Sequence, residues 1–303
     1  MRIDAKETFA NWQEQVEAAV AEVSGRPFHL RTQIAQSGGS IHRTLRLQGE
    51  GGERYFIKLN DPARAELFAT EQAGLAALEQ AACVRVPHVV ASGVGSDAAW
   101  LLLEYLPLEE LDKTTAASLG EQLAAQHRCT AERFGFAGDN VIGATPQRND
   151  WQDNWVQFWR EQRLGFQLRL AGGNDAPRTL LQAGERLQEK LDGFFSSYYP
   201  MPSLLHGDLW SGNAAAANGV PVIFDPAVYY GDREADIAMT ELFGGFPPAF
   251  QSAYRAAWPL DSGYPVRRGL YNLYHVLNHF NLFGGSYASQ AQNMIQRLLA
   301  ELG

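Results

Sequence analysis

The stretch that most limits what this chain can fold into spans residues 204–226. Two short apolar segments, Leu204-Leu205 and Val222-Ile223, are separated by a turn at Asn218-Gly219. An Asn-Gly pair readily takes the positive φ angles of a tight hairpin, so the spacing predicts strand, loop, Gly turn, strand, with both polar ends on one side. Those ends carry His206-Gly207-Asp208, then Asn213 five positions on, and Asp225 after the second apolar segment. A carboxylate such as Asp208 can orient and deprotonate a hydroxyl, while the Asn213 amide oxygen and the Asp225 carboxylate suit Mg²⁺. A base and two oxygen ligands for a metal–nucleotide complex are the parts that phosphoryl transfer requires. The alternative is two ordinary turns, since an Asp and an Asn at this spacing also arise by chance in a chain of this length. The His-Gly before Asp208 and the apolar pair delivering Asp225 favour the phosphotransferase reading.

The chain's 303 residues allow two units with separate cores, and we divide it at residues 1–105 and 106–303. Residues 5–24 carry Phe9, Trp12, Val16, Val20 and Val23 at helical spacing, stopped by Gly25 and Pro27. A strand, the loop Gln36-Ser37-Gly38-Gly39-Ser40 and a second strand over residues 41–47 follow. Backbone N–H groups of Gly38, Gly39 and Ser40 could lie over phosphates, or the loop is a plain hairpin turn. The strand over residues 54–59 puts Lys58 on the face of Phe56. Such a lysine either snorkels outward or contacts nucleotide phosphates, held by a carboxylate on the next helix, residues 62–80. Glu71 is the first choice of partner and Glu66 the second. The apolar strand over residues 100–106 ends at Pro107, where backbone groups of Glu104, Tyr105 and Leu106 would pair with an adenine edge.

Beyond Pro107 the pattern turns helical, with helices over residues 116–127 and 180–198 and another headed by Trp151, Trp155, Phe158 and Trp159. His127 reads as a packed helix residue. After Asp225, a charged cluster holds Asp232, Glu234 and Asp236 ahead of an apolar helix. Asp232 and Glu234 are either helix caps or substrate contacts, and Asp236 is placed to brace the catalytic loop. His275 and His279, one turn apart, lack the glutamate and third ligand of a zinc site. They line either a substrate pocket or a structural network. His206 and Trp210, flanking Asp208, are further substrate-side candidates.

A net charge of −9 without clustered Lys and Arg argues against nucleic acid as partner. No segment approaches a membrane span, and the amino terminus lacks a signal-peptide pattern. Two cysteines without paired spacing point to a reducing, cytoplasmic setting.

Taken together, these residues resemble the fructosamine kinase family, the ketosamine-3-kinases, within the wider group of choline and aminoglycoside kinases. The resemblance rests on residues 36–41 (QSGGSI), Lys58, residues 71–75 (EQAGL), residues 102–106 (LLEYL), residues 139–147 (DNVIGATPQ), LLHGDLWSGN from Leu204, DPAVYYGDREADIAMTELFGGF from Asp225 and LYNLYHVLNHFNLFGG from Leu270. It implies an α+β, protein-kinase-like, two-lobed fold, with an N-terminal antiparallel sheet bearing one main helix and a mostly helical C-terminal lobe. It also implies ATP-dependent phosphorylation, with Mg²⁺, of the sugar 3-hydroxyl of ketosamines, small or protein-bound, after which the unstable product releases the amine. Under that resemblance Asp208 is the base, Asn213 and Asp225 hold magnesium, Lys58 contacts phosphate, Glu71 positions it, and Trp210 offers its ring to the sugar. Ser40 stands where some members carry a redox-active cysteine, which removes that route of control. A monomer or weak homodimer is expected. The rivals are a kinase for another small hydroxyl compound, such as an aminoglycoside or amino alcohol, and a nucleotide-binding scaffold without turnover.

Overall fold

The computed structural model describes residues 11–36 and 41–303. The expected phosphate-loop residues Gly38, Gly39 and Ser40 lie outside the described residues, as does Phe9. The chain divides into two compact units, Met1–Ala76 with Val86–Pro107, and Ala77–Arg85 with Leu108–Gly303. It is of the mixed α+β class, a sheet in the first unit and mostly helices in the second.

In the first unit, α1 (Trp12–Ser24) starts at Asn11, whose side chain accepts from the Glu14 N–H in a capping box, and stops at Gly25 in the left-handed region. Its stripe Trp12, Val16 and Val20 is buried, whereas Val23, in the last turn, stays exposed. Five antiparallel strands follow: β1 (Leu30–Ala35), β2 (Arg43–Gly49), β3 (Arg54–Asn60), β4 (Val89–Val94) and β5 (Ala99–Glu104), in the order β1-β2-β3-β5-β4. Alternation along β3 sends Ile57 and Leu59 into a core with Trp12, Val16, Leu45, Leu47, Trp100 and Leu102. Phe56 and Lys58 take the opposite face. Helix α2 (Ala65–Ala81) buries Phe68, Leu75 and Leu78, and Leu67 is half-buried. Glu71 lies between Phe68 and Leu75 at the i, i+3, i+7 spacing of that buried stripe.

The second unit opens with β6 (Leu108–Glu109) and α3 (Lys113–Gln126), the latter capped by Asp112. A short hairpin, β7 (Asn140–Ile142) and β8 (Thr145–Gln147), precedes the aromatic segment. The helix expected from Trp151 begins instead at Trp155, because the Asn154 side chain caps it by accepting from the Gln157 N–H; Trp151 is left exposed. It runs as α4 (Trp155–Phe158), a π-helical turn over Trp159–Leu164, and α5 (Gly165–Gly173). After α6 (Arg178–Glu189) come β9 (Ser203–Leu205), β10 (Ala214–Ala217), β11 (Val220–Ile223) and β12 (Tyr229–Gly231). Helices α7 (Glu234–Met239), α8 (Pro248–Ala257), α9 (Tyr264–Phe283) and α10 (Tyr287–Glu301) complete the unit. Its core joins Trp155, Phe158 and Trp159 to Leu270, Tyr271, Tyr274 and Leu277 of α9. Among the described residues no helix is long and apolar enough to cross a membrane.

Candidate active site

The turn at Asn218-Gly219 and the strand after it form where the sequence places them, but the strand they pair with is Ala214–Ala217 rather than Leu204-Leu205. Residues of β10 and β11 pair from Ala214 opposite Ile223 to Ala217 opposite Val220, and the turn puts Asn218 at φ 53° and Gly219 at φ 76°. β9 pairs with β12, so the segments on either side of the hairpin are themselves tied together. Asp208 follows β9, Asn213 immediately precedes β10, and Asp225 follows β11. The turn brings the Asn213 and Asp225 ends to one side, and the Asn213 amide bonds tie Asp208 to them.

Each connecting residue is fixed by backbone bonds. The Phe224 N–H donates to the Asn213 carbonyl at 3.0 Å, and the Ala227 N–H to the His206 carbonyl at 2.8 Å. Gly207 sits at φ +83°, and a Cβ there would run into the Ala227 carbonyl. Only glycine meets both demands. Gly207→Ala is therefore expected to lower stability by roughly 2–4 kcal/mol through strain and overpacking, read as a fall in urea midpoint; an unchanged midpoint would contradict this packing.

His206, a substrate-side candidate in the sequence, is instead wholly buried structure. Its Nδ1 accepts from the Asp208 N–H at 3.3 Å, and its Nε2 donates to the Phe224 carbonyl at 3.0 Å. With one nitrogen accepting and the other donating, the ring is neutral, and burial lowers its pKa in the same direction. It thus joins the Asp208 loop to the Asp225 loop.

Asp236 supports the Asp208 loop from beneath. Its carboxylate accepts from the His206 N–H at 2.7 Å, the Gly207 N–H at 2.9 Å and His127 Nε2 at 3.2 Å. Burial opposes its charge, but the His127 bond and charge and the Gly207 N–H outweigh it and hold the pKa below the usual range. His127, the C-cap of α3, is anchored in turn by the Tyr254 hydroxyl at 2.8 Å.

At the surface of this frame, the Asn213 amide donates to the Asp208 carbonyl at 2.8 Å and to its carboxylate at 3.3 Å. The amide nitrogen is thereby used, leaving the amide oxygen as the atom that can meet a cation. Asp225 is exposed and held at φ 57°. Burial first, and the Asp225 charge second, push the Asp208 carboxyl up to about 7. A carboxylate pushed up by burial and by a second carboxylate, beside an amide oxygen, fits a hard divalent cation that takes its remaining ligands from phosphate and water. Its charge would offset the repulsion from Asp225.

In the first unit, Lys58 is only 4% exposed and its Nζ meets Glu71 Oε1 at 2.5 Å. Lys58 does not snorkel, because it lies on a central strand between Thr44 of β2 and Leu101 of β5. Glu66, off the buried stripe, is exposed. Glu71→Ala would remove a charged partner of a buried ammonium and is expected to cost about 1.5–3 kcal/mol of stability. Glu66→Ala should stay within about 0.5 kcal/mol; equal losses in denaturant melts of the two variants would contradict the assignment. At the end of β5, Glu104 is committed to His88, donating its N–H to the His88 carbonyl at 2.9 Å and accepting the His88 N–H at 3.0 Å on its carboxylate. The Tyr105 ring lies under the guanidinium groups of Arg46 and Arg54, and Leu106 is half-buried.

The remaining candidates separate into two groups. Trp210 is 37% exposed, with its ring over Gly212, so one face packs on the loop while the side chain remains open to solvent. The His279 ring packs tilted against Phe243, centroids 4.5 Å apart, and the Phe243 carbonyl accepts from the Ser211 hydroxyl at 3.2 Å, which places His279 beside the same loop. His275, one turn away, is buried; that burial, together with His279, lowers its pKa to about 3, so it is neutral. Asp232 and Glu234 are not substrate-facing. Asp232, 1% exposed, accepts from Tyr271 at 2.5 Å and Tyr198 at 2.9 Å, and Glu234 pairs with Arg267 at 2.7 and 3.1 Å. Both are buried struts between α7 and α9. Their tyrosine and arginine partners lie more than thirty positions away, so the sequence carried no local signal of this.

Sequence reading also missed the role of residues 139–149. The Asn140 amide donates to the Val228 carbonyl at 2.8 Å and the Gln147 amide to the Ala227 carbonyl at 3.1 Å, while the Tyr274 hydroxyl donates to Gln147 at 2.8 Å. This buried network fixes the backbone that leaves Asp225.

The chain matches the sequence model of the family described as fructosamine kinase over residues 12–301. A Synechocystis protein named as a ketoamine kinase is 42% identical over 296 residues, 96% of this chain and 97% of that protein. The chloroplastic protein-ribulosamine 3-kinase of Arabidopsis thaliana is 39% identical over 269 residues, 88% of this chain and 82% of that protein. A crystal structure from Haemophilus somnus 129PT, assigned as a fructosamine-3-kinase, superimposes with a TM-score of 0.86 at 28% identity, covering 95% of this chain and all of that one.

Proposed function

This chain belongs to the fructosamine kinase family, and from that membership we propose that it transfers the terminal phosphoryl group of ATP to the 3-hydroxyl of ketosamines. It is a phosphotransferase with an alcohol as acceptor, and the phosphorylated ketosamine decomposes to release its amine, so the outcome is deglycation. The observation that carries the mechanism is the Asn213 amide held on Asp208 at 2.8 and 3.3 Å, where burial and then the Asp225 charge raise the Asp208 carboxyl to about 7.

In this reading Asp208 orients the sugar hydroxyl and takes its proton as the oxygen attacks phosphorus. Asn213 and Asp225 hold magnesium, which neutralises charge on the phosphates. Lys58, fixed by Glu71, contacts the nucleotide phosphates, with Gly38, Gly39 and Ser40 supplying backbone N–H groups. Because the Glu104 N–H is already used, the backbone of Tyr105 and Leu106 provides the adenine contacts near the end of β5. Trp210 and His279 form the sugar side, with His275 shaping it from behind. We place the activity in the cytoplasm, in keeping with two unlinked cysteines.

A panel of ribulosamine, fructosamine, aminoglycoside and choline, each assayed for ATP consumption, tests this reading. Turnover with the ketosamines at least ten-fold above the others supports it. Faster turnover of an aminoglycoside or choline would move the substrate class, and no ATP consumption with any of them would leave a binding scaffold.

A further inference from the structure

The sequence spacing of the two cysteines suggests no pairing, yet the fold brings Cys83 Sγ and Cys129 Sγ to 4.0 Å across 46 positions. Both thiols are reduced and partly exposed. Cys83 follows Ala82, whose φ of 53° ends α2, and Cys129 lies beyond the end of α3, so neither is held within a helix or a strand. The Cys83 thiol donates to the Ala81 carbonyl at 3.2 Å, a weak bond that costs little to break.

The segments they belong to support the catalytic strands. The Ile223 N–H of β11 donates to the Arg85 carbonyl at 3.0 Å, two residues from Cys83, and the Leu204 N–H of β9 donates to the Cys129 carbonyl at 2.9 Å. The thiol pair therefore sits behind the two strands that lead to Asp225 and Asp208. A disulfide needs sulfurs about 2 Å apart, and side-chain rotation with slack in two loops can supply the remaining approach.

We propose that Cys83 and Cys129 form a reversible intrachain disulfide, closed by a low-molecular-weight disulfide such as oxidised glutathione, that staples together the supports of β9 and β11. One thiolate attacks a glutathione sulfur, forming a mixed disulfide and releasing one glutathione. The second thiolate then displaces the other glutathione from the protein sulfur. Two protein thiols lose two protons and two electrons, and one oxidised glutathione becomes two reduced molecules. Burial, and then the neighbouring Cys129, push the Cys83 thiol up, so closure runs faster as pH rises.

The test incubates the full chain in oxidised glutathione at about pH 8.5, blocks free thiols, and reads intact mass, peptide linkage and melting temperature. Wild type is expected to lose both free thiols without gaining glutathione and to yield one linked peptide pair containing Cys83 and Cys129. It should then melt roughly 5 °C higher, an effect reversed by dithiothreitol. Cys83→Ser should instead carry one glutathione on Cys129 and show no rise. Wild type that retains two thiols, carries two glutathiones or forms linked dimers would overturn the proposal, as would an oxidised form that melts below the reduced one.

Discussion

Asp208→Asn is expected to lower turnover by about 10² to 10⁴, the range for removing a positioned general base, while nucleotide affinity stays within about three-fold. The amide keeps the shape of the carboxyl and can still face Asn213, which donates to it at 3.3 Å, so the loop should hold. Losing the carboxylate removes one of the two repelling charges at the site, and the Asp225 contribution to it. The pH profile gives an independent reading. Burial and Asp225 raise the Asp208 carboxyl to about 7 in the protein alone, and a bound cation lowers it from there. The active form is the carboxylate, so wild-type activity is lost as pH falls through the lower value that the bound cation sets. The acid limb should flatten in Asp208→Asn. A variant with near-native turnover, or one with low turnover and an unchanged acid limb, would remove Asp208 from the role of base.

Asp236→Ala is expected to have the largest effect on stability, about 3–5 kcal/mol. The substitution strips the acceptor from two buried backbone N–H groups, those of His206 and Gly207, and from His127 Nε2. No water can reach them easily, since Asp236 is 1% exposed and His127 and His206 are fully buried. The loop bearing Asp208 would lose its floor, so turnover should fall together with the urea midpoint. His127→Ala removes one donor and leaves the two backbone contacts, and should cost less than Asp236→Ala. If the Asp236 variant unfolds at the wild-type midpoint, the frame beneath the site is not held as described.

What the sequence made legible was local. Asn218-Gly219 fixes the hairpin register through the φ angles it tolerates, and the register then determines where Asn213 and Asp225 emerge. Glu71 was preferable to Glu66 because it falls on the Phe68, Leu75, Leu78 stripe, which becomes the buried face of α2. Burial of Asp232 and Glu234 was not legible. In the sequence Asp232 and Glu234 read as helix caps or substrate contacts, and nothing nearby announces that Tyr198, Tyr271 and Arg267 will compensate them. The same holds for His127, whose partner Asp236 is 109 positions away, and for the thiol pair. Long-range polar pairing depends on which helices meet. That is set by the packing of apolar faces rather than by the polar residues themselves.

The account's central claim is that this chain moves phosphate to one particular sugar hydroxyl. Phosphorus NMR of the protein with ATP, magnesium and a ribulosamine tests it most directly. The predicted result is a new sugar-phosphate resonance coupled to the proton on C3, growing as ATP is consumed and then decaying as the amine is released. Phosphate on a different hydroxyl, or ATP left intact with the ribulosamine while an aminoglycoside is phosphorylated, would contradict it.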